Sequence, residues 1–136
     1  MTITIDASLT LAWLFEDEQT DEVLSVIDNV MKSTAIVPGL WHYEVANGLQ
    51  MAIRRKRIDV AYRSISFDKL RSLPITVDSE GMDEIWLATI ALADLYQLTI
   101  YDAAYLELAQ RRRVPLATLD YALARACKAS GVPLIL

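Results

Sequence analysis

The chain has 136 residues, 54% of them apolar and 23% charged, so it can bury a sizeable core, and intrinsic disorder is excluded. Its net charge of −5 argues against a protein that holds nucleic acid by bulk electrostatics, and its single cysteine, Cys127, excludes an internal disulfide and fits a reducing, cytoplasmic setting. The longest uncharged stretch, residues 33–43, contains Pro38 and Gly39 and falls short of the ~18 residues of a membrane span; no basic segment precedes the apolar N-terminus as in a secretory signal.

Residues 2–6 alternate Thr, Ile, Thr, Ile, Asp, which predicts a short strand. Ser8 is expected to cap the next helix, whose apolar surface would be Leu9, Leu11, Ala12, Leu14 and Phe15. An acidic link (Glu16, Asp17, Glu18, Asp21, Glu22) precedes Val23, Leu24, Ile27, Val30 and Met31 at helical spacing. The run TAIVP reads as a buried strand stopped by Pro38. An apolar helix over residues 41–53, a basic block over 54–57, a helix starting near Ile58 and Asp59, and a short strand over 73–77 follow.

Residues 81–97 are expected to form one long helix, with Ile85, Ala88, Leu92 and Leu95 on its apolar stripe. A loop over 98–101 leads to a helix over 102–112, then a buried strand over 114–118. Asp120 begins a further helix that Gly131 ends in the αL position, and residues 132–136 supply a last strand. Within that helix Cys127 lies at helical spacing with Leu123 and Ala124 and is expected in the core. Strands alternating with helices predict a parallel sheet flanked by helices, in one domain over residues 1–136. Trp13, Trp41 and Trp86 lie on apolar helical stretches and are expected to pack inside, with a partner-facing groove as the alternative for Trp13. The two basic blocks, 54–57 and 111–113, end apolar helices; solvation of helix ends is the expectation for the second, with contact to a phosphate backbone as the alternative.

Four acids stand where an α/β sheet assembles a site. Asp6 and Asp120 each follow a predicted strand, and ligands bind beyond the carboxyl ends of such strands. Asp102 opens a helix, where its charge is favoured. Glu44 shares one helical face with Asn47 and Gly48, at spacings of three and four residues. Each acid alone reads as a capping or first-turn residue. Together they point to carboxylates that a hard cation, Mg²⁺ or Mn²⁺, would share, and so to metal-dependent phosphoryl chemistry. His42 is the only histidine, which excludes a His-rich zinc site, and no nucleotide-binding glycine loop occurs.

The motifs IDAS at Asp6 to Ser8, PGLWHYEVANGL around Glu44, LTIYDAAYLELA around Asp102, and PLATLD at Asp120 resemble those of PIN-domain ribonucleases of the VapC toxin type. The resemblance covers essentially the whole chain. It implies a three-layer α/β/α sandwich with a central parallel sheet, and a Mg²⁺- or Mn²⁺-dependent endoribonuclease paired with a VapB-type antitoxin, usually as a homodimer. It also implies that Asp6 and Asp102 hold the principal metal, with Glu44 and Asp120 completing the cluster, and that Ser8, Thr118 and Asn47 support it. Leu119 stands where the family often has a smaller residue.

Rival readings lack their own residues. A phosphoacceptor receiver domain usually needs a paired acid after the first strand and a Lys after the last, but Ala7 and Ser8 follow Asp6 and no Lys follows residues 132–136. A haloacid-dehalogenase-type phosphatase wants an acid two residues after its nucleophile, and Ser8 occupies that place. A pure interaction module would leave the acids idle.

Overall fold

The computed structural model describes residues 1–136. Strands β1 (Thr2–Ile5), β2 (Thr34–Val37), β3 (Ile75–Val77) and β4 (Leu116–Ala117) form one parallel sheet in the order β3-β2-β1-β4. Helices α1 (Ala7–Leu14), α2 (Asp21–Lys32), α3 (Leu40–Arg54), α4 (Val60–Arg71), α5 (Ile90–Tyr96), α6 (Ile100–Arg112) and α7 (Tyr121–Ser130) flank it, giving the expected α/β sandwich. No helix is long and apolar enough to cross a membrane.

Both faces of a parallel sheet are covered by its crossover helices; here β1, β2 and β4 are largely buried, while the edge strand β3 is half-buried to exposed. Ile3, Ile5, Ala35, Val37, Leu116 and Ala117 join a core shared with Leu9 and Leu14 of α1, Val23 and Val30 of α2, and Leu49 of α3. Full burial of each Leu or Ile contributes roughly 1.5–3 kcal/mol before entropy is counted. Cys127 lies in this core with no exposed surface. Polar groups inside are bonded. Thr4 donates its hydroxyl to the Ile36 carbonyl. The Trp41 indole N–H donates to Thr10 Oγ1 at 3.0 Å, and that hydroxyl donates to the Asp6 carbonyl at 2.8 Å. Gly48 lets α3 lie close to α1: a Cβ there would come within 2.4 Å of Leu11 Cδ1.

Several expectations are corrected. Asp6, not Ser8, caps α1, its carboxylate accepting the Leu9 N–H at 2.9 Å, while Ser8 sits inside the first turn. Thr99 caps α6, so Asp102 is its third residue rather than its first. Residues 81–97 do not make one helix. A 3₁₀ turn (Gly81–Glu84) and a π segment (Ile85–Thr89), in which the Ile90 N–H donates to the Ile85 carbonyl, precede α5. The π turn inserts an extra residue, and the buried positions become Thr89 and Ala93, while Leu95 is 69% exposed. Trp86 is expelled to 89% exposure, whereas Trp13 and Trp41 are buried. The last predicted strand reduces to one bridge, Leu116 to Leu134.

One residue in each basic block does more than solvate a helix end, while Arg54, Arg55, Lys56, Arg112 and Arg113 are exposed. Arg57 bonds Asp17 at 2.8 Å and Glu18, and lies 4.0 Å above the Phe15 ring. Arg111 is drawn between two buried acids, Asp78 and Glu107.

Candidate functional site

Strands β1 and β4 are parallel neighbours in the register Ile5 to Ala117, so the next residues, Asp6 and Thr118, face each other at the carboxyl rim. The Asp6 N–H donates to the Ala117 carbonyl at 3.2 Å. Its carboxylate accepts hydrogen bonds from the Thr118 hydroxyl, from Ser8 Oγ at 2.8 and 2.9 Å, and from the Leu9 N–H. Thr118 Oγ1 also accepts the Asp120 N–H at 2.9 Å, and Ser8 Oγ accepts the Leu119 N–H at 3.0 Å. Ser8 and Thr118 therefore join the two strand ends through Asp6. Asn47 is exposed and stands outside this network.

The other acids arrive from separate elements. Glu44 lies in the second turn of α3, the helix that follows β2, and Asp102 in the first turn of α6. Asp120 caps α7, its carboxylate accepting the Leu123 N–H at 2.8 Å. The capping reading is thus fulfilled at Asp6 and Asp120, each of which accepts a helix N–H through one carboxylate oxygen.

Sequence reasoning missed Tyr105. Its hydroxyl donates to Glu44 Oε1 at 2.8 Å while its ring is buried among the core residues. The available signal was its spacing of three residues after Asp102, which puts both side chains on one helical face.

Burial raises three of the acids, and the charges of their acidic neighbours add to it. Burial, then the charges of Asp120, Asp6 and Glu44, push Asp102 up to about 6. Asp6 is raised by burial and by Asp120, against the lowering effect of its bonds from Thr118, Leu9 and Ser8. Glu44 is raised by burial and by Asp6, and the Tyr105 hydroxyl opposes this. As the side chains stand, no three of these acids are gathered closely enough to be the ligands of one ion. Their chemistry nonetheless fits a hard divalent cation: every donor is oxygen, and their proximity favours a positive charge between them. The widest cleft, about 870 Å³, lies elsewhere, lined by Phe15, Asp17, Arg57 and Tyr62 among others, with none of the four acids.

The PIN domain family profile matches residues 3–129. The chain is 28% identical over 133 residues to ribonuclease VapC3 of Pyrobaculum aerophilum, covering 98% of this chain and 100% of that protein. It is 30% identical over 125 residues to ribonuclease VapC3 of Mycobacterium tuberculosis, covering 91% and 86%. A crystal structure from Pyrobaculum aerophilum superposes with a TM-score of 0.71 at 26% identity, over 99% of this chain and 84% of that one. A toxin–antitoxin complex from Klebsiella pneumoniae shares the fold at a TM-score of 0.58 and 18% identity, over 87% and 86%. With a family match over nearly its whole length and the sheet order and acid-bearing rim described above, the chain belongs to the PIN-domain family.

Proposed function

We propose that the chain is a metal-dependent endoribonuclease acting as the toxin of a type II toxin–antitoxin pair. The observation that carries this reading is the rim where β1 and β4 end, at which Ser8, Thr118 and the Leu9 N–H fix the Asp6 carboxylate, in a chain whose PIN domain match spans residues 3–129. The curated relatives, named as ribonucleases, support RNA as the substrate.

Asp6, Glu44, Asp102 and Asp120 would hold Mg²⁺ or Mn²⁺. Such a cation supplies a more acidic bound water and offsets charge on the phosphate. Asp6 is held rigidly by Ser8, Thr118 and the Leu9 N–H, which keeps one face of the cluster fixed as substrate arrives. Asp102, which burial and its acidic neighbours push up to about 6, must be ionised for the cluster to work. Glu44 or Asp120 takes the proton from the attacking water. The water oxygen bonds to phosphorus, the bond to O3′ breaks, and the departing oxygen is protonated. The products are a 5′-phosphate and a 3′-hydroxyl.

A VapB-type antitoxin is the expected partner, and a homodimer the expected assembly. Purified protein incubated with RNA tests the activity. Cleavage should require Mg²⁺ or Mn²⁺, stop with chelator, and leave the stated ends. Asp102→Asn should abolish it while the chain stays folded, with a melting temperature no lower than wild type; a fully active Asp102→Asn protein removes the reading.

A further inference from the structure

We propose, on the strength of the nuclease reading above, that Tyr105 is a positioning residue: it pins one oxygen of Glu44, so that the glutamate offers the other to the cluster. The phenol has a single proton, and it is given to Glu44 Oε1 at 2.8 Å. Tyr105 is only 1% exposed, and its ring is packed in the core. A flat ring with two torsions, locked by neighbours, is a fixed post. Glu44 is a half-buried side chain with three torsions and would otherwise sample several rotamers.

Packing alone does not account for the hydroxyl. A phenylalanine would fill the same volume, so what the oxygen adds is the bond to Glu44. That bond spans 61 residues and ties α6 to α3. Asp102 lies one turn before Tyr105 on α6, so this helix sets two acids: Asp102 directly, and Glu44 through the phenol. Groups that orient metal ligands from behind commonly govern affinity about 10–100-fold.

The test uses Tyr105→Phe, which keeps the ring and deletes the bond. Mn²⁺ binding to the RNA-free protein is read by the electron spin resonance signal of the free ion, beside a thermal melt in chelator and the Mn²⁺ dependence of RNA cleavage. We expect Mn²⁺ affinity to fall about 10–100-fold and the Mn²⁺ needed for half-maximal cleavage to rise by a similar factor. In a Glu44→Gln background, adding Tyr105→Phe should cost no further affinity, because the effect runs through the glutamate. Wild-type Mn²⁺ affinity in Tyr105→Phe overturns the inference, even if the variant melts lower, since only packing would then be at stake. An equal loss in the Glu44→Gln background overturns it as well. A wild-type protein that binds no Mn²⁺ removes the nuclease reading and this inference together, whereas an unchanged Tyr105→Phe removes this inference alone.

Discussion

The Arg111 guanidinium reaches both oxygens of the Asp78 carboxylate, at 3.1 and 2.6 Å, and so ties the end of α6 to the residue that follows β3. The same side chain bonds Glu107 at 2.8 and 3.0 Å. Helix α6 also carries Asp102 and Tyr105, so this anchor steadies the far end of the helix that presents them.

Removing that cation leaves two buried carboxylates facing each other. Arg111→Ala should therefore destabilise the fold, toward the lower end of the ~3–5 kcal/mol known for broken buried pairs, because Arg111 keeps 20% of its side chain exposed. Burial raises Asp78, but the bonds from Arg111 and the Glu80 N–H outweigh it and hold the carboxyl below its ordinary 3.8. Its stabilising contribution is thus complete above 3.8 and lost as pH falls through the lower folded value. Urea melts of wild type and Arg111→Ala at pH 7 and pH 3 check both points: the gap between them should narrow in acid.

Asp102 behaves in the opposite sense. Its folded value near 6 lies above the ordinary 3.8, so the folded chain binds more protons across that window and loses stability as pH rises through it. The penalty is absent below 3.8 and full above 6. A divalent cation would relieve it, so added Mg²⁺ should raise the melting temperature more at pH 7.5 than at pH 5. At Mg²⁺ concentrations too low to saturate the site, cleavage should fall as pH drops through about 6, because protons then compete with the cation for Asp102. Melts with Mg²⁺ or chelator at the two pH values, together with a rate profile, measure this.

The three tryptophans should separate cleanly. Trp13→Ala and Trp41→Ala empty core positions and should each cost about 3–5 kcal/mol. Trp41 also leaves the Thr10 hydroxyl without its donor. Trp86→Ala, at 89% exposure, should stay within about 0.5 kcal/mol of wild type. Chemical denaturation of the three variants is sufficient.

Cys127 has no exposed surface, and burial, with Asp6 adding to it, pushes its thiol up to about 11. The reactive thiolate is scarce at pH 8. Iodoacetamide should leave the native protein unmodified for hours and label it at once in denaturant, as mass spectrometry would read.

The parallel sheet was legible because TITID, TAIVP and PLATLD are short apolar runs separated by helical patterns. The rim positions of Asp6 and Asp120 followed from strand ends and cap chemistry, both local signals. Residues 81–97 misled because periodicity reasoning assumes 3.6 residues per turn, and the π segment shifts the buried face within a single stretch. Arg111 and Tyr105 escaped for another reason. Local spacing offers only Asp102 three residues before Tyr105 and Glu107 four before Arg111; it does not name Glu44 or Asp78, which stand 61 and 33 residues away. Ser8 was singled out both as a cap and, by resemblance, as a support for the acids; its hydroxyl serves Asp6 two residues away, and it accepts the Leu119 N–H once β4 lies beside β1.

Asp6 and Thr118 meet across 112 residues of chain, and β4 must dock on β1 before they do. On the ribosome this contact comes late. A nascent chain that already displays Asp6, Glu44 and Asp102 still lacks the strand that steadies the first of them, and β1 still shows an open edge. Translation cut short before β4 would therefore release fragments carrying three of the acids without a working arrangement of them. On the nuclease reading proposed above, activity becomes a property of the finished polypeptide, which spares the messenger and ribosome that are producing it from a nuclease ready too soon.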